Sequence, residues 1–412
     1  MSVISKSLTV FAAGATAAAL MASAPAIAQD TETIVLGAAL SITGKYATAG
    51  IHTQKGYDLA VKRVNEMGGI MIGGKKFMIA VKYYDDESTP ARGAQLAERL
   101  IVQDGIKLML GPYSSGLTKA IAPITEKHNI PMVEGNGASR SLFAQGYKNL
   151  FAVLSTSEQY LTEAIALAVK QAIKEGRDPK TLKVALAMEN DPFSQDVRLG
   201  LVEDIKKFGL NLIIDDKLPP DLSDMSATLN KVRALKPDIL LVSGHSKGAA
   251  LVTRQMAEMR VKVPMLAITH CESAKVTDTK KFGNNAEGTL CAAQWAPSMA
   301  YEGEWFGTAA EYTATFEAEY GYVPPYQAAE STAAVLVFVD AIRRAQSADP
   351  DKVRAALVAT DLNTFYGDIR YSSVGNNVAK PMILRQIQNG KYVPVAPSQF
   401  VDGEMIFPRP GS

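Results

Sequence analysis

Short apolar runs and amphipathic segments alternate along nearly the whole chain, and few folds accommodate that order. Thr33 to Leu40 is an apolar run, followed by a helical pattern from about Gly50 to Glu66 that Gly68-Gly69 ends. Next come strand-like Phe77 to Tyr84, helical Pro90 to Val102, strand-like Ile106 to Leu110, helical Leu117 to Lys127 and strand-like Pro131 to Glu134. Repetition of strand, helix and strand predicts a parallel sheet with helices on both faces. The pattern then restarts, with strand-like Leu182 to Met188, Asn211 to Asp215, Ile239 to Val242 and Met265 to Ile268 separated by helical patterns around 195–208, 225–235 and 247–259. Two successive units predict an α/β fold of two doubly wound parallel-sheet lobes, in place of one very wide sheet. Helical patterns at 307–320 and 326–345 and strand-like pieces at 365–371 and 381–388 follow. Pro123 is expected to kink or divide its helix.

The first 28 residues carry a different signal. Lys6, the apolar run Leu8 to Met21 and the small-residue triplet Ala26-Ile27-Ala28 read as a secretory signal peptide cleaved before Gln29. The apolar run is shorter than the roughly 20 residues of a bilayer-spanning helix. No Cys stands at the cleavage point to take a lipid. A periplasmic protein without a membrane anchor is expected. Loss of Lys6 makes a chain of net charge +1 formally neutral, which gives no electrostatic reason to expect nucleic acid or an anionic membrane as partner. With 47% hydrophobic residues, the mature chain is long enough for two domains. Cys271 and Cys291 are the only cysteines. They are either one disulfide, closing a loop of about 20 residues for about 3 kcal/mol, or two buried thiols. Neither they nor any His cluster suggests a metal.

In open parallel sheets ligands gather beyond the carboxyl ends of the strands, which directs attention to the loops there. Ser41-Ile42-Thr43-Gly44-Lys45-Tyr46 offers hydroxyls and a ring, whereas Asp85-Asp86-Glu87-Ser88, ahead of Pro90, reads as helix capping more than metal binding. Gly111-Pro112-Tyr113-Ser114-Ser115-Gly116 opens a helix after a strand, so hydroxyls and free backbone N–H groups converge on a point that favours a carboxylate. Ser114 or Ser115 acting only as a helix cap is the plainer alternative. In Glu134-Gly135-Asn136-Gly137-Ala138-Ser139-Arg140 the glycines let backbone approach a ligand closely.

The run Ala38-Ala39-Leu40-Ser41-Ile42-Thr43-Gly44, the turn Gly68-Gly69-Ile70, Tyr84-Asp85-Asp86, the Gly111 to Gly116 loop, Ala122-Pro123 and Pro131-Met132-Val133 occur in an order that resembles the leucine/isoleucine/valine-binding protein family. These are solute receptors of ABC transporters for branched-chain and hydrophobic amino acids, and the resemblance covers essentially the whole mature chain. It implies a type I periplasmic binding protein, a monomer with two lobes joined by three crossover strands near Leu154, Trp295 and Arg370. Lobe 1 would comprise 29–154 and 296–370, and lobe 2 would comprise 155–295 and 371–412. The implied partners are a small-molecule ligand and an ABC permease in the inner membrane, and no cofactor is implied.

Carried over residue by residue, the resemblance places the carboxylate-holding serine at Ser115, with Ser114 its neighbour. The completing loop falls at Asn136, Gly137, Ala138 and Ser139. A ring packing on the ligand falls at Phe193, and a family tyrosine falls on His245, which can still donate a hydrogen bond and becomes charged at mildly acidic pH. The acid that pairs with a ligand ammonium falls within Thr269-His270-Cys271-Glu272, on His270 or Cys271 without a gap and on Glu272 with one residue of slippage. If Glu272 points into the cleft, an α-amino acid is expected; if outward, a carboxylic acid without an amine, such as an aromatic acid. Tyr326, with Tyr46 and Tyr113, would add rings, while Arg140 and His52 read as rim groups or, more plainly, as solvated surface. Ser114, His245 and an acid could be assembled into a catalytic triad, but a nucleophile needs a nearby base and an oriented third group, and no Walker loop or His-Glu-x-x-His helix is present, so an enzyme is not expected. A sensor using the same clamp on a signalling partner stays open beside the transport reading.

Overall fold

The computed structural model describes residues 32–411. The signal-peptide assignment lies outside them. The first sheet comprises β1 (Glu32–Leu40), β2 (Ile70–Ile72), β3 (Lys75–Asp85), β4 (Met109–Leu110), β5 (Met132–Glu134) and β6 (Leu150–Ala152), in the order β2-β3-β1-β4-β5-β6. β1 runs parallel to β3 from Glu32 opposite Phe77 to Leu40 opposite Asp85. Only β2 is antiparallel, folded back on β3. The second sheet comprises β7 (Lys183–Glu189), β8 (Asn211–Leu218), β9 (Ile239–Ser243), β10 (Met265–Ile268) and β11 (Leu290–Ala293). Two small hairpins follow, β12 (Glu302–Gly303) with β13 (Gly307–Thr308) and β14 (Asp361–Thr364) with β15 (Gly367–Arg370). The antiparallel strands β16 (Ile383–Gln388) and β17 (Lys391–Ala396) then complete the second sheet, in the order β17-β16-β11-β10-β9-β7-β8. β5, β6, β9, β10 and β11 are buried at every position, as expected of strands covered on both faces.

Most expected elements fall within a few residues of their places, and the exceptions have local causes. The helix Ser115–Lys127 stays continuous through Pro123, because its neighbours Ile121 and Ala122 are packed into the core and hold the axis despite one lost hydrogen bond. The piece 365–371 holds β15, with Phe365 and Tyr366 forming the turn from β14. Cys271 and Cys291 are joined as a disulfide with Cα atoms 5.9 Å apart, which decides between the two cysteine readings. No helix of the described residues is long and apolar enough to cross a membrane.

The chain leaves the first sheet after β6, returns after β11 and crosses again between β15 and β16. These three segments are tied by polar side chains. The Ser155 N–H donates to Gln294 Oε1 (3.1 Å), Gln294 Nε2 donates to the Ser155 carbonyl (2.8 Å), and the Ser155 hydroxyl donates to the Lys380 carbonyl (2.7 Å). The buried Lys380 ammonium bonds the Gln294 carbonyl, and burial lowers its pKa to about 7 against the opposing pull of Glu330. The long helix Tyr326–Ala345 is buried along nearly its whole length beside the helix Ala47–Glu66. Gly56 permits that approach: a Cβ there would lie 2.3 Å from the Ala328 carbonyl oxygen.

Gly50 does the same between the helix Ala47–Glu66 and the loop after β1, since a Cβ there would stand 1.8 Å from the Ser41 carbonyl oxygen. Gly50→Ala is expected to destabilise the protein by about 1–3 kcal/mol through overpacking. Urea unfolding should show a lower midpoint with an unchanged slope.

Candidate ligand-binding cleft

In the first sheet the chain leaves β1 for β3 on one side and then for β4 on the other; in the second it does so from β7 to β8 and β9. These reversals open a crevice at the carboxyl ends of the strands, and here the two crevices face each other. Tyr113, Ser114 and Ser115 come from the loop after β4, Asn136 from that after β5 and Tyr160 from the segment after β6. Across from them stand Phe193 after β7, His245 after β9 and His270 after β10. The helix Tyr326–Ala345 closes one side with Tyr326, Gln327 and Glu330. The lobes are shut on this cavity: of roughly 230 Å³ between its walls, about 10 Å³ has room for water, on the order of one molecule. A ligand therefore requires the lobes to part.

The walls are aromatic. Ring centroids lie 4.9 Å apart for Tyr160 and Phe193, 5.1 Å for Phe193 and His270, 5.1 Å for His245 and His270, and 5.6 Å for Tyr113 and His245. His245 and His270 both have left-handed backbone (φ 47° and 63°), an uncommon state for a residue with a Cβ and one that concentrates at functional sites. Between the rings lie buried polar atoms with no hydrogen-bond partner in the protein: Ser114 Oγ, Asn136 Oδ1, His270 Nδ1, the Tyr326 hydroxyl, and Nε2 and Oε1 of Gln327. Ser114 precedes the helix Ser115–Lys127 without capping it through its side chain, so the purely structural explanation of that serine does not hold.

Other residues singled out in the sequence have different employment. Ser115 lines the cavity, yet its Oγ accepts the Ser139 N–H (3.1 Å). The N–H groups of Asn136 and Gly137 donate to Glu134 Oε1 (2.5 and 2.7 Å) and are not free for a ligand carboxylate. Burial pushes the Glu134 carboxyl up to about 7 against the lowering effect of those bonds. Gly137 is a packing position, its missing Cβ leaving room for Thr118 Oγ1 at 2.4 Å, and the Ala138 carbonyl accepts the Ser157 N–H. Ser139 Oγ reaches across to Asp196 (3.0 Å). The Tyr46 ring packs outside the cavity on Tyr113 and His245.

Glu272 points away from the cavity. It forms a buried ion pair with Arg385 (2.5 Å) and accepts the Tyr326 N–H across the cleft (3.3 Å). Its place at the cavity is taken by His270, which burial holds well below the ordinary histidine pKa and therefore neutral. Tyr160, Gln327 and Glu330 line the cavity without having been expected. Gln327 follows the helix start that Pro324-Pro325 marks, and Glu330 lies one turn beyond Tyr326 on the same face, a spacing readable in the sequence. Burial raises the Glu330 carboxyl well above the ordinary range against the opposing effect of Lys380, and the Tyr366 hydroxyl is a 3.4 Å donor to it.

Closure has its own contacts. The Tyr113 hydroxyl and His245 Nδ1 meet at 2.8 Å across the cleft, and Lys45 Nζ donates to the Pro220 carbonyl (3.1 Å). His245 Nε2 pairs with Asp191 (3.3 Å). Burial opposes charge on His245, but Asp191 and Glu189 outweigh it and raise its pKa; burial likewise opposes charge on Asp191, and His245 prevails in lowering it. Both ring nitrogens are occupied, so neither serves Ser114 or Ser115 as a base.

Residues 33–391 match the model of the periplasmic binding protein family, and the chain belongs to that family. Among curated relatives it is 24% identical over 385 residues to Leu/Ile/Val-binding protein homolog 8 of Brucella abortus (strain 2308), covering 91% of this chain and 93% of that protein. It is 26% identical over 351 residues to homolog 1 of Brucella melitensis, covering 83% and 87%. Among solved structures, the branched-chain amino acid transporter substrate binding protein LivJ of Streptococcus pneumoniae in complex with isoleucine superposes with a TM-score of 0.75 at 21% identity, over 92% of this chain and all of that one. A solute binding protein of an ABC transporter from R. palustris in complex with benzoate gives 0.75 at 19% identity, over 88% and 96%. The resemblance and the two-lobed fold expected from the sequence are thereby met.

The His245–Asp191 pair has a definite pH signature. Because the folded-state pKa of His245 is raised, its contribution is complete below about pH 6.5 and is lost as pH rises through the raised value. Asp191, with a lowered pKa, contributes until pH falls well into the acid range. Thermal unfolding of the native protein and His245→Gln should differ by about 3 kcal/mol near pH 6, where the variant leaves a buried carboxylate unpaired. The gap should narrow on the alkaline side; a gap independent of pH would contradict this assignment.

Proposed function

We propose that this chain is the periplasmic substrate-binding component of an ABC importer, capturing a small carboxylate-bearing ligand between its lobes and delivering it to the permease as a closed monomer. Lobe 1 (29–154 and 296–370) and lobe 2 (155–295 and 371–412) swing about the crossovers tied at Gln294. The single observation that carries this reading is the convergence of partnerless buried atoms of Ser114, Asn136, His270, Tyr326 and Gln327 on one aromatic-walled cavity. Each such atom costs about 1–3 kcal/mol while unsatisfied, and a carboxylate between the Ser114 and Tyr326 hydroxyls and the Gln327 amide relieves several at once. Contacts made from both lobes exist only in the closed form, so the ligand shifts the population toward it.

The ligand reading favoured is an aromatic carboxylic acid. The walls are rings, and Glu272, the acid expected to receive an ammonium, is consumed by Arg385. A structural neighbour holds benzoate and another 3,4-dihydroxy benzoic acid, which supports the same class. A branched-chain or aromatic amino acid is the second reading, and Glu330 is the observation that favours it, since an ammonium beside it would ionise that buried carboxyl.

Calorimetric titration with benzoate, 4-hydroxybenzoate, isoleucine and phenylalanine separates these readings. Aromatic acids are expected to bind, with Ser114→Ala and Tyr326→Phe each weakening them about tenfold. Glu330→Gln should leave an aromatic acid bound within a few-fold but abolish binding of an amino acid. Silence from all four compounds would remove the basis for the carboxylate site.

A further inference from the structure

A second, larger cavity lies on the far side of the Glu272–Arg385 pair from the cleft. About 760 Å³ of it has room for water, compared with about 10 Å³ in the cleft. Tyr322, Val323 and Pro325 form one wall and Tyr392, Val393 and Pro394 the other, so both lobes contribute and most of the lining is apolar. At its inner end stands Arg385 on β16, 1% exposed.

The guanidinium is only half used. Nη1 pairs with Glu272, whereas Nε and Nη2 are buried without any partner in the protein. Those two N–H groups lie on the same edge of the planar guanidinium, the edge that grips a carboxylate with two parallel hydrogen bonds. The Tyr392 ring lies 4.9 Å from the guanidinium carbon, and the Tyr392 hydroxyl is also buried without a partner. Elsewhere on the lining, Lys275 and Lys391 balance Asp278 and Asp402, so the uncompensated polar demand sits at Arg385. Two guanidinium donors that no protein acceptor meets are costly to keep buried, and an anion that reaches that edge removes the cost.

We propose that this cavity is a second ligand site, taking an organic anion whose carboxylate binds side-on to Nε and Nη2 of Arg385 and whose apolar body lies against Tyr322, Val323, Pro325 and Val393. The site does not depend on which ligand the cleft takes. Because both lobes build it, its occupant favours the closed form and tightens cleft binding, and the cleft ligand tightens binding here by the same factor. Glu272 is the physical link, bonded at once to Arg385 and to the Tyr326 N–H beside the cleft.

The test is calorimetric titration of the mature protein with 2-naphthoate. Native protein is expected to bind it. One binding component is expected to weaken at least about tenfold in Val323→Trp, which fills the cavity from an exposed position, and in Arg385→Gln, and to persist in Ser114→Ala, which weakens only naphthoate held in the cleft. Circular dichroism checks that Arg385→Gln is folded; if it is not, Val323→Trp decides. No binding at millimolar naphthoate, unchanged affinity in the folded cavity variants, or loss of every binding component in Ser114→Ala, which would put all of the probe in the cleft, each overturns the proposal.

Discussion

Everything at the cleft depends on the direction of the parallel strands. A right-handed strand-helix-strand connection sends each strand's carboxyl end and the following helix's amino end to the same side of the sheet. Two such sheets face each other here, so the helices starting at Ser115, Pro192 and His245 all begin at the cavity, joined by the one starting at Tyr326. Free backbone N–H groups and the positive ends of helix dipoles thus come from both lobes, which makes the cleft suited to a carboxylate before any side chain is considered.

Side chains then divide into those that hold the lobes together and those left without a partner at the cavity. Tyr113 with His245, Ser139 with Asp196 and Tyr326 with Glu272 are bonds across the gap, complete in themselves. Ser114, Gln327 and the Tyr326 hydroxyl are incomplete. The two sets share residues: Tyr326 gives its N–H to closure and keeps its hydroxyl for the cavity, so a change in one is felt by the other.

The fold was legible because buried parallel strands and the helices between them leave plain periodic marks; Pro90–Val102, Met265–Ile268 and the helix Tyr326–Ala345 fall where periodicity put them. Short strands such as Leu150–Ala152 escaped because three residues are too few to show a period. The cleft was half legible. Tyr113, Ser114, Ser115, Asn136, Phe193, His245 and Tyr326 all line it. Glu272 illustrates what a sequence withholds: its partner is Arg385, 113 residues away on β16. The loop at Gly137 shows the same effect, since Glu134 three residues earlier turns inward and takes the N–H groups of Asn136 and Gly137.

The knot at Gln294 has a consequence for the speed of capture. Three crossing segments are tied to one another by Ser155, Gln294 and Lys380, so under the closure proposed above the soft coordinate left to the two halves is a swing about the knot. Closure then becomes a one-dimensional search, and Tyr160, bonded to Gln294 at 3.1 Å while facing the cavity, places one wall of that search directly on its axis. A ligand lodged against Tyr160 touches the point about which everything else turns.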